Sequence, residues 1–315
     1  MASAHMKLWM SATASDAPAI VFVPELEQWL SLSSARPKAL SKIQQRGAHD
    51  VAQHDGFAGQ WLVDQPIALA PLLRAVSSDS TITQPVINVD LVSLRPDLNA
   101  VWASPLDHAT DDAAWALVAE VLAHDGLVLQ HDSGGAFLAL PSMPEATFQP
   151  VWRLQGTSLD ALMPTGPDAR RWIQLISESQ IVLHQHSQQA STAGHAPQGV
   201  WFWGMGTMPT LSDLAPRVQT VVSQSKALTG LSQALGVSCH STPSADIAQI
   251  QPGELVEFSP PPTVTGEGAL RLLDDALGHL LRRLALGRLR QLELSTREQR
   301  WTLTSGAVWR SWVGL

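Results

Sequence analysis

Short apolar runs rich in β-branched residues alternate along this chain with longer stretches whose apolar positions recur at helical spacing. Residues 19–23 (AIVFV) and 86–94 (VINVDLVSL) are such runs and predict buried strands. Between them, residues 25–32 predict a short helix and the polar stretch 33–59 a surface mixture of helix and loop. Residues 66–76 predict a helix opened by Pro66, followed by the loop SSDSTITQP. Residues 110–126 (TDDAAWALVAEVLAHDG) hold an N-cap, first-turn acids, Trp115, Val118 and Leu122 on one face, and a closing Gly126. Together these delimit a helix.

A hairpin is predicted from residues 127–130 and 136–140 around HDSGG, then a helix over 171–186 and a strand over 199–203. Strand 218–222, helix 225–235 and Val237 continue the alternation. The loop SPPPTVTGEG leads into a long helix from Glu267 to about Arg290, and 292–294 with 301–303 form a closing hairpin. Such alternation predicts an α/β fold with a mixed, partly parallel sheet flanked by helices. No internal repeat or long low-complexity linker divides the chain. MASAHM reads as a cloning remnant before Met6, which makes residues 1–10 a flexible lead. Residues 11–150 then form an N-terminal α/β region and 151–315 a C-terminal one, meeting near 145–165, unless the whole is one continuous domain.

At 315 residues and 45% hydrophobic content the chain can bury a substantial core without staples. A net charge of -8, with acids spread along the chain, argues against a nucleic-acid partner. The single cysteine, Cys239, excludes an intrachain disulfide and any Cys-rich zinc site, and suits a reducing cytoplasm. No apolar window has the length needed to cross a bilayer, so no membrane partner is expected.

The richest stretch in candidate chemistry is 178–206, ESQIVLHQHSQQASTAGHAPQGVWFWGMG. On its helix, Trp172, Leu175, Ile176, Ser179, Val182, Leu183 and His186 share the core face, Glu178 and Gln180 flank it, and His184 points away. Histidines at i and i+2 cannot share one metal, which disfavours a zinc pair of His184 and His186. The WFWGMG strand carries Gly204 and Gly206 at its carboxyl end, where a parallel sheet would present a ligand crevice. The third glycine of a dinucleotide fingerprint is missing, so a structural turn is the favoured reading. In CHSTP (239–243), Cys239 and His240 point to opposite faces of a strand and make a poor nucleophile and base. Asp107, His108, Asp111 and Asp112 surround a helix start, where the dipole alone accounts for acids. Asp274 and Asp275 are expected to be solvated on a Leu-rich helix, whose Arg282, Arg283, Arg288 and Arg290 make it basic toward its C-terminus, which suits the helix dipole and does not demand a partner-binding face.

WIQLISESQIVLH, the G-x-x-P of Gly194 to Pro197, GVWFWGMGTMP, and the closing LALGRLRQLEL with Trp309, Arg310 and Trp312 resemble the RpfE-type regulatory protein family. These are bacterial proteins named for the regulation of pathogenicity factors. The WxWGxG segment followed by VVSQSKALTGLSQALGV is also distantly similar to the archaeal-type cofactor-independent phosphoglycerate mutases of the alkaline phosphatase superfamily. That resemblance implies a degenerate scaffold of their kind. In those enzymes two metal ions activate a Ser or Thr nucleophile; here Asp90 and Ser93 with Asp107 and His108 would serve, with Mn or Zn as the divalent metal. Two departures weigh against this. CHSTP has Cys239 where the mutase motif has Asp, and no arginine stands between Arg171 and Arg217 to grip a phosphate.

The expectation is therefore a non-catalytic cytoplasmic regulatory protein that binds an unknown small-molecule ligand or protein partner and needs no cofactor. Its binding positions are Glu178, Gln180, Gln189, Gln198, Trp201, Trp203, Gly204 and Gly206, with Gln189 and Gln198 standing in for amides of the two families. The alternatives are a metal-dependent phosphoryl-transfer enzyme, phosphomutase or phosphatase, and a subunit of a larger assembly.

Overall fold

The computed structural model describes residues 17–33, 37–51, 62–63, 67–77, 83–106, 111–132, 135–154, 157–189, 196–241, 247–261, 263–264, 266–297 and 299–309. Its strands are β1 (Ala19–Phe22), β2 (Ala48–Val51), β3 (Val86–Pro96), β4 (Val101–Pro105), β5 (Leu129–Asp132) and β6 (Gly135–Ala139). They continue with β7 (Gly199–Gly206), β8 (Thr220–Val222), β9 (Ser238–His240), β10 (Glu254–Glu257), β11 (Gln291–Ser295) and β12 (Gln299–Thr304). The longer helices are α1 (Leu26–Leu32), α2 (Lys38–Arg46), α3 (Leu69–Ser77), α4 (Asp112–His124), α5 (Ala169–Gln189), α6 (Lys226–Ala234) and α7 (Gly266–Ala285). Among the described residues no helix is long and apolar enough to cross a membrane.

The chain forms two compact units, one from the residues up to Ile67 together with Thr210 onward, the other Ala68–Pro209. In the first, a seven-stranded sheet runs in the order β2-β12-β11-β1-β10-β8-β9. β1 is parallel to β10 and β11, β10 to β8, and β8 to β9; only β12 runs against its neighbours β11 and β2. All four residues of β1 are buried, which is why its sequence is an uninterrupted apolar run rather than an alternation. Ala19, Val21 and Val23 pack with Leu270, Leu273, Leu277, Leu280 and Leu284, the three-and-four-spaced stripe of α7, and with Leu40 and Ile43 of α2.

Two charged groups of this unit stand where the pattern did not put them. Asp274 is a tertiary cap and not a solvated acid: its carboxylate accepts from the backbone N–H groups of Lys38 (3.0 Å) and Leu40 (2.9 Å) at the start of α2. Pro37 precedes that helix and has no side-chain acceptor of its own, so α7 supplies it. Glu293, in β11, is 1% exposed. Both guanidinium arms of Arg217 donate to its carboxylate, Nη1 to Oε2 at 2.9 Å and Nη2 to Oε1, and Gln291 Nε2 donates at 2.6 Å.

The second unit is built on an all-antiparallel sheet. β3 pairs with β7 along residues 86–92, with β6 over 86–89 and with β4 over 92–96; β5 pairs with β6. Because β7 is the partner of β3, the stretch 145–165 where a division was expected lies inside this unit. The phases of α5 agree with the sequence reading: Trp172, Leu175, Ile176, Ser179 and Leu183 are buried and His184 is exposed. Trp172 meets Phe202 of β7 and Phe148 edge to face, with ring centroids 5.1 and 5.0 Å apart. α4 begins at Asp112, with the Asp111 carboxylate accepting from Ala114 N–H at 3.0 Å and lying 3.2 Å from His186 Nε2 of α5.

Candidate functional site

Most sequence-predicted positions collect around the β3–β7 pair of the second unit. Antiparallel pairing sets Asp90 opposite Trp201 and Asn88 opposite Trp203. Directly opposed side chains share a face, so the four line one side of the sheet. Trp203 Nε1 donates to Asp90 Oδ2, and Trp201 Nε1 donates to the Gln149 carbonyl at 2.8 Å. Trp152 closes over Trp203 edge to face at 5.4 Å. Gln198 extends the ladder: its N–H donates to Val92 O at 2.9 Å and its Oε1 accepts from Leu94 N–H at 2.7 Å.

The glycines of this segment are set by packing. β7 is antiparallel to its neighbour, so its end is not the carboxyl edge of a parallel sheet as the sequence suggested. Gly204 has φ +69°, and a Cβ there would lie 3.1 Å from Asn88 Nδ2 and 3.3 Å from Ala70 N. At Gly206 a Cβ would come 2.2 Å from that of Ala68, which leads into α3. Gln180 lies over Gly199, its Cγ 3.2 Å from where a Cβ would be, and Glu178 accepts from Gln174 Nε2 at 2.8 Å along α5. Ser93 Oγ donates to Ser104 O at 3.4 Å. Asp107, His108 and the side chain of Gln189 lie outside the described residues, as do Gly194, Arg310 and Trp312. Asn88 is 4% exposed and its Nδ2 has no hydrogen-bond partner among the described residues.

A second cluster, which the sequence reading missed, lies at the carboxyl edge of the parallel strands in the first unit. Ser223 follows β8 and Glu257 ends β10. Ser223 Oγ donates to Glu257 Oε2, and the Ser225 N–H reaches both Ser223 Oγ (2.9 Å) and Glu257 Oε2 (3.3 Å). Ser225 is the N-cap of α6, accepting from Leu228 N–H, so the Glu257 carboxylate sits at the positive end of a helix. After β11 comes Arg297, whose guanidinium is pushed below its ordinary value by burial while Glu25, Glu257 and Glu27 pull it back up.

No protein-family model matches the chain, and no curated protein does. Two solved structures resemble it along most of its length. One is a cofactor-independent phosphoglycerate mutase from Thermoplasma acidophilum, 13% identical, TM-score 0.38, over 92% of this chain and 90% of that one. Another is the PH0037 protein from Pyrococcus horikoshii, 10% identical, TM-score 0.40, over 91% and 88%.

Chemically, the carboxyl-edge cluster fixes a carboxylate more than it activates a nucleophile. Ser223 is 2% exposed and its hydroxyl is already directed at Glu257. Among the described residues no three His, Cys, Asp or Glu side chains come together as a metal site. Cys239 donates to Thr229 Oγ1 at 3.7 Å, while its neighbour His240 is exposed, as expected for adjacent strand positions. The signal that would have found the cluster is the run GELVEFSP (253–260), whose Gly and Pro bracket a strand. Its two glutamates disguised it as surface.

Proposed function

We propose that this chain is a non-catalytic regulatory protein of the cytoplasm, binding a ligand or partner on a scaffold of the phosphoglycerate mutase kind that lacks the catalytic apparatus. The observation that supports this reading most is the position of Glu257. In open α/β sheets ligands bind outside the carboxyl ends of the strands, and a helix N-terminus there is where a phosphate is held. At the N-terminus of α6 the chain provides its own anion, secured by Ser223 and Ser225. A phosphorylated substrate would have to displace it.

Asp90 and Ser93, the two described residues of the phosphoryl-transfer alternative, support the same reading. Asp90 is engaged by the Trp203 indole, and Ser93, three positions along the strand, falls on the opposite face. The RpfE-type assignment rests on the segments quoted above, and the reading calls for no cofactor, no nucleic acid and no membrane.

The test is metal analysis of the purified protein after Mn²⁺ or Zn²⁺ is added back, together with turnover of 4-nitrophenyl phosphate and 3-phosphoglycerate. The expected result is no stoichiometric metal and no turnover above buffer. Tightly held metal with turnover abolished by Ser93→Ala, Asp90→Asn or Ser223→Ala would overturn the proposal in favour of a phosphatase or phosphomutase.

A further inference from the structure

Within the first unit, helices α2 and α7 leave an open groove of about 710 Å³ between them. Its floor is apolar, formed by Ala39, Leu281, Ala285 and Leu303. Its rim is cationic. Lys38, Lys42 and Arg46 follow one another at four-residue spacing along α2, and Arg282 faces the groove from α7. None of these four side chains has a carboxylate partner among the described residues. Of the two acids on the lining, Asp274 is engaged in capping α2, which leaves Asp275.

The helix dipole accounts for Arg46 and Arg282, each in the last turn of its helix, but not for Lys38 and Lys42. Like charges four apart on a helix repel one another, and in a chain of net charge -8 such a cationic row is a local exception. In the middle of α7 stands Gly278, of a type that only proline undercuts in a helix interior. A Cβ there would meet nothing within 4 Å, so no packing contact demands a glycine. What the glycine does is keep the groove wall low between Asp275 and Arg282.

We propose that this groove docks an acidic segment of a partner protein. Its carboxylates pair with Lys38, Lys42, Arg46 and Arg282, and an apolar side chain passes over Gly278 onto Leu281 and Ala285. The apolar floor favours a peptide over a polyphosphate chain, and Asp275 repels a continuous run of phosphates. The site is separate from the carboxyl edge of the sheet, so the proposal stands whether or not that edge is catalytic.

A short fluorescein-labelled peptide of repeated Glu-Glu-Leu, titrated against the full chain by fluorescence anisotropy, tests this directly. Repeated Lys-Lys-Leu and a single-stranded oligonucleotide serve as comparisons. The acidic peptide is expected to bind saturably, more weakly as salt is raised. Its affinity is expected to fall about tenfold or more, a difference easily resolved, in the Lys42→Glu/Arg282→Glu double variant and separately in Gly278→Leu. Circular dichroism of both variants should remain that of the parent, and the thermal melt of Gly278→Leu should lie at or above the parent's. Absence of binding, binding indifferent to both variants, or tighter binding of the oligonucleotide would overturn the proposal.

Discussion

Gly204 illustrates how one residue can invite a functional reading and receive a structural one. Glycines after an apolar strand left open a ligand crevice beside the favoured reading of a structural turn. The left-handed conformation of Gly204 and the contacts of Asn88 and Ala70 around it account for the residue. Gly204→Ala is expected to lower stability by about 2 kcal/mol, roughly half from backbone strain and the rest from crowding. Urea unfolding measures this; a loss below about 0.5 kcal/mol, the ordinary range of a surface substitution, would mean that the turn has another conformation open to it. Gln198 was legible as a polar residue worth testing, but not its bond to Leu94, because a hydrogen bond across 104 positions leaves no local trace.

The longer elements were the most legible, because each carries its own periodicity. The apolar stripe of α7, the core face of α5 and the β1 run announce themselves from side-chain spacing alone. β2, β4 and β10 were missed. Their sequences AHDV, VWASP and ELVE are too short or too polar to show a period, and they become strands because a neighbour offers them a ladder. β11 was anticipated, yet its Glu293 required a partner that no pattern names. Arg217→Met removes that partner and is expected to destabilise the protein by about 3 kcal/mol, since a buried carboxylate is left without its guanidinium. Adding Glu293→Met should recover most of the loss in chemical denaturation. A double variant as unstable as the single one would locate the cost in packing of the arginine stem.

For the molecule as a whole, the decisive fact is that one unit is continuous in sequence and the other is not. Residues 68–209 carry their own sheet, with α5 packed against β7, and a unit of that kind can fold by itself. Expressed alone, this fragment is expected to show helix and strand by far-UV circular dichroism and a cooperative urea transition. A non-cooperative transition would show that it depends on the rest of the chain. The sequence by itself determined the class, α/β with parallel strands, and the order of most elements, because burial on a strand or helix writes a period into consecutive residues. Which segments share a unit, that β7 runs antiparallel beside β3, and that Glu257 meets Ser223 and Ser225 beside α6 were decided only in three dimensions. Those relations join residues tens of positions apart, and contacts at such separations are set by how sheets close and helices pack, about which no local pattern carries information.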